Sequence, residues 1–551
     1  MQIQGTTAYQ LDNRRLMNDW QQLQDAVTPS SEDFLQALKD PIEVQQQQLR
    51  EILDSNRNSV FGRKHGFESI SCYEEYCDRV PIHRYEDLAP YIQRMAAGEQ
   101  GVLCSEPVVA FEVTGGSTQG SKLIPYTASG LTAFQQSIFP WLGDLLSAKP
   151  GIKLGRTYWA ISPVTRQLTK TEGDIPIGMV NDAAYFGQDL EACIAGLLAI
   201  PAEFALIADI EQWRYLTAFF LLAAEDLSLI SVWSPTFLLE LLREIREKRD
   251  RLIADIAKGR IETYCHTPLQ LNLEWKLLPN PERAELIKTA VSDTTIDTQK
   301  IWSRLDTISC WTDAAAKAFV SQLQALFPQA WIQGKGLLAT EGVVTLPLVG
   351  CQSPVLAIKS GFYEFLDAQE QPWLCHQLVD GEVYRVVMTT HSGLYRYDLG
   401  DRVRVRGWKQ QTHLLEFIGR AGLVSDLCGE KLTEEFVLKQ LGEQRGFAML
   451  APSLLGKPHY VLFLDAAEYD EAATAALVCK LDHALAENPQ YQYARQLGQL
   501  SELVAYRVQN PISTYSNYAL ERGQRLGDIK PPILSRERDW ERRFQVNQPL
   551  A

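Results

Sequence analysis

TGGSTQGSKLIPYT, residues 114–127, sets three glycines and a run of small hydroxyl residues between an apolar segment and a lysine. Gly115, Gly116 and Gly120 free the backbone for close approach to a polyphosphate. Thr114, Ser117 and Thr118 offer hydroxyl donors, and Lys122 adds a positive charge. The segment reads as a phosphate loop. Its spacing is neither the GxxxxGKS/T of a Walker loop nor a GxGxxG opening a helix, and a plain solvated loop suits the same composition. The decision rests on what accompanies it.

Two later patches accompany it. Residues 334–347 read GKGLLATEGVVTLP and residues 389–405 read TTHSGLYRYDLGDRVRV, each ending an apolar segment in a loop with an acidic residue. In chain order, the hydroxyl/glycine loop, Thr340-Glu341-Gly342, and Tyr395 to Asp401 follow the core motif order of adenylate-forming enzymes. With Gln119 inserted in the first loop and LYRYDLGD as the third, the chain resembles the auxin-responsive Gretchen Hagen acyl acid amido synthetase family. Residues 80–99, 233–242 and 301–313 look like segments recurring at these places in that family, so the resemblance covers most of the chain from about residue 40. The second motif, GLLATEG, is of bacterial type, and Leu337 stands where the family often has a tyrosine. Adenine stacking, worth about 1 kcal/mol for an aromatic contact, then falls to another ring or to apolar packing.

The resemblance implies ATP- and Mg²⁺-dependent activation of a small carboxylic acid as an acyl-adenylate, then transfer to the amine of an amino acid. Such a reaction asks for positioning and neutralisation of phosphate charge more than for covalent chemistry from side chains. The loop from Thr114 to Lys122 suits the β- and γ-phosphates. Glu341 is a hard oxygen ligand for Mg²⁺, and Thr340 a donor to the α-phosphate. The resemblance gives Asp401 the two ribose hydroxyls, Arg420 a place near the ribose and the domain hinge, and Lys530 the transferring phosphoryl region. Each also has a structural rival: Glu341 as a turn cap, Asp401 as partner of Arg396 or Arg402, Lys530 as a solvated lysine. His391 reads as a satisfied loop histidine. An acyl-CoA ligase sharing the adenylation step, or a catalytically silent nucleotide-binding protein, fits the same residues.

The rest of the chain sets limits. Its 551 residues allow a large domain and a smaller one, and 46% hydrophobic with 22% charged residues is ordinary for a packed protein. A net charge of −15 argues against broad nucleic-acid or anionic-membrane binding. The N-terminus has no signal-peptide pattern, and the apolar runs near 192–207 and 215–224 are too short or broken to span a bilayer, so a cytoplasmic location is expected. Ten cysteines without a CxxC pair point to reduced thiols.

Alternating strand-like and helical runs from residue 108 onward predict an α/β fold: a large N-terminal adenylation domain of β-sheets flanked by helices, 1–422, and a small mobile α+β C-terminal lid, 423–551. Within it, Ser30 and Asp33 are expected to cap a helix over 34–38, helices cover 131–146 and 233–246, and strands ending near residue 401 place Asp401 at a loop mouth. The lid is expected to hold a strand over 459–464, a helix over 468–485 and a strand over 503–508.

Overall fold

The structure, a computed structural model, describes residues 13–114, 122–159, 169–178, 186–201, 204, 207, 209–259, 278–420 and 424–546. Four parallel strands, Arg156–Trp159, Leu227–Ser231, Thr307–Cys310 and Trp331–Gly334, lie side by side in that order. Both faces of this sheet are covered: Leu229 packs into one core cluster and its neighbour Ile230 into another, and the polar residues between, Thr157, Ser228, Thr307 and Ser309, are buried with them. All four strands end at one edge, at Trp159, Ser231, Cys310 and Gly334.

A second sheet is antiparallel throughout. Its seven strands run in the order Thr345–Leu346, Val355–Leu356, Thr412–Arg420, Tyr397–Lys409, Val383–Thr389, Phe362–Leu366 and Pro372–Leu374. A third, mixed sheet contains the hairpin Val108–Thr114 with Lys122–Thr127. After residue 424 the chain builds a three-stranded sheet from Ala448–Ser453, His459–Asp465 and Val504–Val508, with the helix Glu471–Leu485. Period-two patterning serves both faces of this sheet. Met449, Ala451, Val461 and Phe463 join the cluster that holds Trp213 and Leu241, whereas Ala448, Leu450, Leu462 and Leu464 close a separate core with Leu481 and Leu485.

Three sequence expectations need correction. Ser30 and Asp33 do not begin a helix, because they lie inside one that runs unbroken over Asn13–Ala37 with Pro29 in its interior. Leu16, Trp20, Leu23, Val27 and Phe34, three, four or seven residues apart, are all buried on one face, and that packing outweighs the local cap signal. The helix expected from residue 468 starts at Glu471, where Asp470 accepts a hydrogen bond from the Ala473 N–H at 2.7 Å. Asp401 is not at a loop mouth: it lies within the strand Tyr397–Lys409 and pairs in register with Arg420.

Candidate active site

The three sequence patches meet through their flanking strands. Thr114 lies opposite Lys122 in the hairpin, so both ends of the first motif are fixed by ladder pairing. Gly115, Gly116, Ser117, Thr118 and Gly120 lie outside the described residues. Lys122 Nζ sits 4.9 Å from the centre of the Tyr85 ring and 3.9 Å from Glu86 Oε1, against the start of the helix Tyr85–Ala96. Thr340 and Glu341 form the two-residue turn of a short hairpin between Leu338–Ala339 and Gly342–Val343. That turn is tied to both other motifs. Tyr126, from the strand after the first motif, donates to the Thr340 carbonyl at 2.8 Å, and Tyr397, from the third, donates to Glu341 Oε1 at 3.1 Å.

Asp401 and Arg420 face each other across two paired strands, with Arg420 Nε 3.9 Å from Asp401 Oδ1. Gly400 precedes Asp401 at φ 77°, a conformation that costs an L-residue roughly 1 kcal/mol or more, and its amide donates to Asp398 Oδ1 at 3.0 Å. Arg420 also donates to the Leu399 carbonyl at 3.1 Å. The rivals proposed for Asp401 are engaged elsewhere: Arg396 pairs with Glu364 and Arg402 with Glu435.

Lys530 is not a solvated lysine. It is half-buried, with Nζ 5.2 Å from the Phe417 ring centre and 5.8 Å from that of Trp311. The residues after it explain the placement. Pro531 and Pro532 lead into a segment that pairs with the sheet edge, where the Leu450 N–H reaches the Ile533 carbonyl and the Ser535 N–H the Leu450 carbonyl, each at 2.8 Å. The Ile533 N–H also donates to Glu434 Oε1 at 2.9 Å. The lysine is therefore delivered from the C-terminal sheet into the environment of Asp401.

Burial dominates the electrostatics. It pushes the Asp401 carboxyl up to about 7, a rise opposed by Arg420 and Lys530 and assisted by Glu341 and Asp398. Asp313 is pushed up to about 6 by burial and by Glu416. Desolvation lowers the Lys530 ammonium from its ordinary value, while Glu434, Asp313 and Asp401 act to raise it. Several carboxyls, the Arg420 guanidinium and the Lys530 ammonium thus act on one another in a recess where burial outweighs every single charge pair.

Sequence reading missed part of this recess. Tyr126, Glu112 and Arg525 are members: Arg525, five residues before Lys530, reaches Glu112 Oε2 at 2.9 Å at the base of the first motif. Trp311 and Asp313 sat in the segment 301–313 that the resemblance had marked. Leu337 is buried in the core, its N–H bonded to Thr345 Oγ1 at 2.7 Å, so it offers no stacking face. His391 is satisfied, its Nε2 3.1 Å from Gln48 Oε1. Among the described residues no three metal-ligating side chains gather, all nine described cysteines are free, and no helix is long and apolar enough to cross a membrane.

Comparison with known proteins agrees with this geometry. An acyl acid amido synthetase, AtGH3.15, solved in complex with 2,4-DB, superposes with a TM-score of 0.82 at 19% identity, covering 98% of both chains. A 2-hydroxyisobutyryl-CoA ligase in its postadenylation state superposes with a TM-score of 0.51 at 12% identity over 90% of each chain, so the fold is that of adenylate-forming enzymes. Indole-3-acetic acid-amido synthetase GH3.8 of Oryza sativa subsp. indica is 24% identical over 532 residues, 89% of this chain and 87% of that protein. Jasmonoyl-L-amino acid synthetase JAR6 of Nicotiana attenuata is 24% identical over 437 residues, 73% of each. Residues 30–332 match the GH3 family N-terminal domain, 354–420 the GH3 family central domain and 435–539 the GH3 family C-terminal domain, and the chain belongs to the GH3 family.

Proposed function

We propose that the protein activates a small carboxylic acid with ATP as an acyl-adenylate and passes the acyl group to the amine of an amino acid. The observation that carries this is the delivery of Lys530 into the recess of Asp401, beside the motif strands that hold Arg420 and, through Tyr397, Glu341. The amide-forming half follows the relatives, which are named amido synthetases.

In this reading the Asp401 carboxylate accepts both ribose hydroxyls, with Arg420 holding it in place. Thr340 donates to the α-phosphate, and Glu341, fixed by Tyr397, would be the carboxylate that holds Mg²⁺ beside the nucleotide. Mg²⁺ commonly binds in that way, with one or two protein carboxylates rather than a full protein cage. The cation supplies charge neutralisation of the phosphates. Lys530, desolvated and boxed by Phe417 and Trp311, presents its charge where the carboxylate attacks and pyrophosphate leaves. Lys122 and the hydroxyls of Thr114, Ser117 and Thr118, with the glycines between, receive the β- and γ-phosphates.

Carboxylate-dependent exchange of labelled pyrophosphate into ATP tests the first half, across a panel of aromatic and aliphatic acids. Competition between amino acids and coenzyme A as acceptors tests the second. Thioester without amide reassigns the protein as an acyl-CoA ligase, and no exchange with any acid leaves a nucleotide-binding protein.

A further inference from the structure

The edge where the four parallel strands end carries a group that the adenylation chemistry does not use. Lys335 follows the strand Trp331–Gly334, and its Nζ donates to Ser231 Oγ at 2.8 Å, at the end of the strand Leu227–Ser231 two places along the sheet. The ammonium stands 5.0 Å from the ring centres of both Trp141 and Trp233. Among the described residues no carboxylate forms an ion pair with it. Burial pushes its pKa down to about 8, with the Cys310 thiol the group that opposes the shift. The side chain is half-buried, and a lysine drawn from water to that degree usually meets an anionic partner. Two buried neighbours are also incompletely satisfied: Trp159 Nε1 and Gln333 Nε2 have no hydrogen-bond partner among the described residues, although Gln333 Oε1 accepts from Trp141 Nε1 at 2.9 Å.

Position decides what this ammonium faces. Ligands of α/β sheets bind at the carboxyl ends of the strands. A line of contacts runs along that edge from the adenylation recess: Lys530 over Trp311 at 5.8 Å, Trp311 against Trp233 at 5.8 Å, then Trp233 against Lys335. Lys335 is thus separated from Lys530 by a pair of indoles. An acid whose reacting carboxylate lies by Lys530 would lay its apolar body along those indoles and bring its far end to Lys335. We infer that Lys335 is a specificity-determining residue: the acid this protein takes carries a second anionic group, a carboxylate or comparable oxyanion, on an apolar spacer, and Lys335 with Ser231 receives it.

This rests on the adenylation reading, and matched acids separate the two. Terephthalate against 4-methylbenzoate, and adipate against hexanoate, differ at the far end while keeping the spacer. Pyrophosphate exchange by the unaltered protein is expected to favour the diacid of at least one pair by about 100-fold in kcat/KM, and Lys335→Met to abolish that preference while holding the monoacid within about threefold. Lys335→Gln, which keeps a donor to Ser231 without the charge, is expected to show the same split. Preference for the monoacid in both pairs, or an equal loss for both acids of a pair in either variant, overturns the inference and makes Lys335 a structural tie between strand ends. Exchange with no acid at all overturns the adenylation reading, and this inference with it.

Discussion

Removing the Glu364 carboxylate is expected to release the third motif. Glu364 and Arg396 form a buried ion pair, their side chains 1% and 6% exposed. Arg396 Nε lies 3.1 and 3.0 Å from the two carboxylate oxygens and Nη2 lies 2.7 Å from Oε1. The guanidinium also donates to the Val80 carbonyl at 2.9 Å, and Tyr73 donates to Glu364 Oε1 at 2.7 Å. These bonds surround Arg396 at φ 43°, a left-handed conformation in the residue just before the strand Tyr397–Lys409. Neither side chain is open enough to solvent for screening to weaken the pair. Glu364→Ala therefore leaves a buried cation without compensation and a phenol without its acceptor, a loss of about 3–5 kcal/mol. Glu364→Gln keeps acceptors but no charge, and the difference between a charged and a neutral hydrogen bond puts its loss nearer about 2 kcal/mol. In the double variant Glu364→Ala with Arg396→Ala the stranded charge is gone, so part of the stability returns. Equilibrium urea unfolding followed by circular dichroism measures these variants beside Arg396→Ala alone and the unaltered protein, which completes the double-mutant cycle. A loss below about 1 kcal/mol for Glu364→Ala, or single losses that simply add, would refute the reasoning, because either result means that the pair behaves as a solvated surface bridge.

Asp401→Asn tests the raised carboxyl. Its folded pKa, about 7, lies above that of an unfolded aspartate, about 3.9. The aspartate's contribution to stability is therefore complete at low pH and is lost as pH rises through 7, so the asparagine protein gains relative stability over that window, by up to about 4 kcal/mol. Thermal melts of the two proteins that stay parallel from pH 4 to 8 would contradict this. Because ribose hydroxyls donate to the ionised form, the KM for ATP is expected to rise below about pH 7 in the unaltered protein and to lose that dependence in the variant. Lys530→Ala should lower kcat for pyrophosphate exchange by about 100- to 1,000-fold with an unchanged melting temperature, and a melting loss without a kcat effect would make the lysine structural. Gly400→Ala meets no hard clash, Arg420 Nε being 3.5 Å from the added carbon, but it strains a φ of 77°. It is expected to cost about 1 kcal/mol and to raise the KM for ATP through the neighbouring Asp401, so unchanged ATP kinetics would count against the coupling.

Sequence by itself determined the motif order and the α/β class, and nominated Glu341, Asp401, Arg420 and Lys530 as candidates, because hydroxyl/glycine loops, strand periodicity and proline-fixed segments are local properties. The C-terminal strands and helix were legible for the same reason: a period of two or of 3.6 shows within ten residues. Tertiary structure alone decided the rest. Whether Arg396 serves Asp401 or Glu364 depends on which strand lies beside it, and Glu364 is thirty-two residues away in the chain. The unbroken first helix, despite Pro29, is set by the elements it packs on. The Lys335–indole edge takes Trp141 and Ser231 from well upstream of the lysine, and Lys530 comes against Phe417 and Trp311 because the segment after it pairs with Leu450. Burial and charge pairing are sums over neighbours in space, and no window of sequence contains those neighbours.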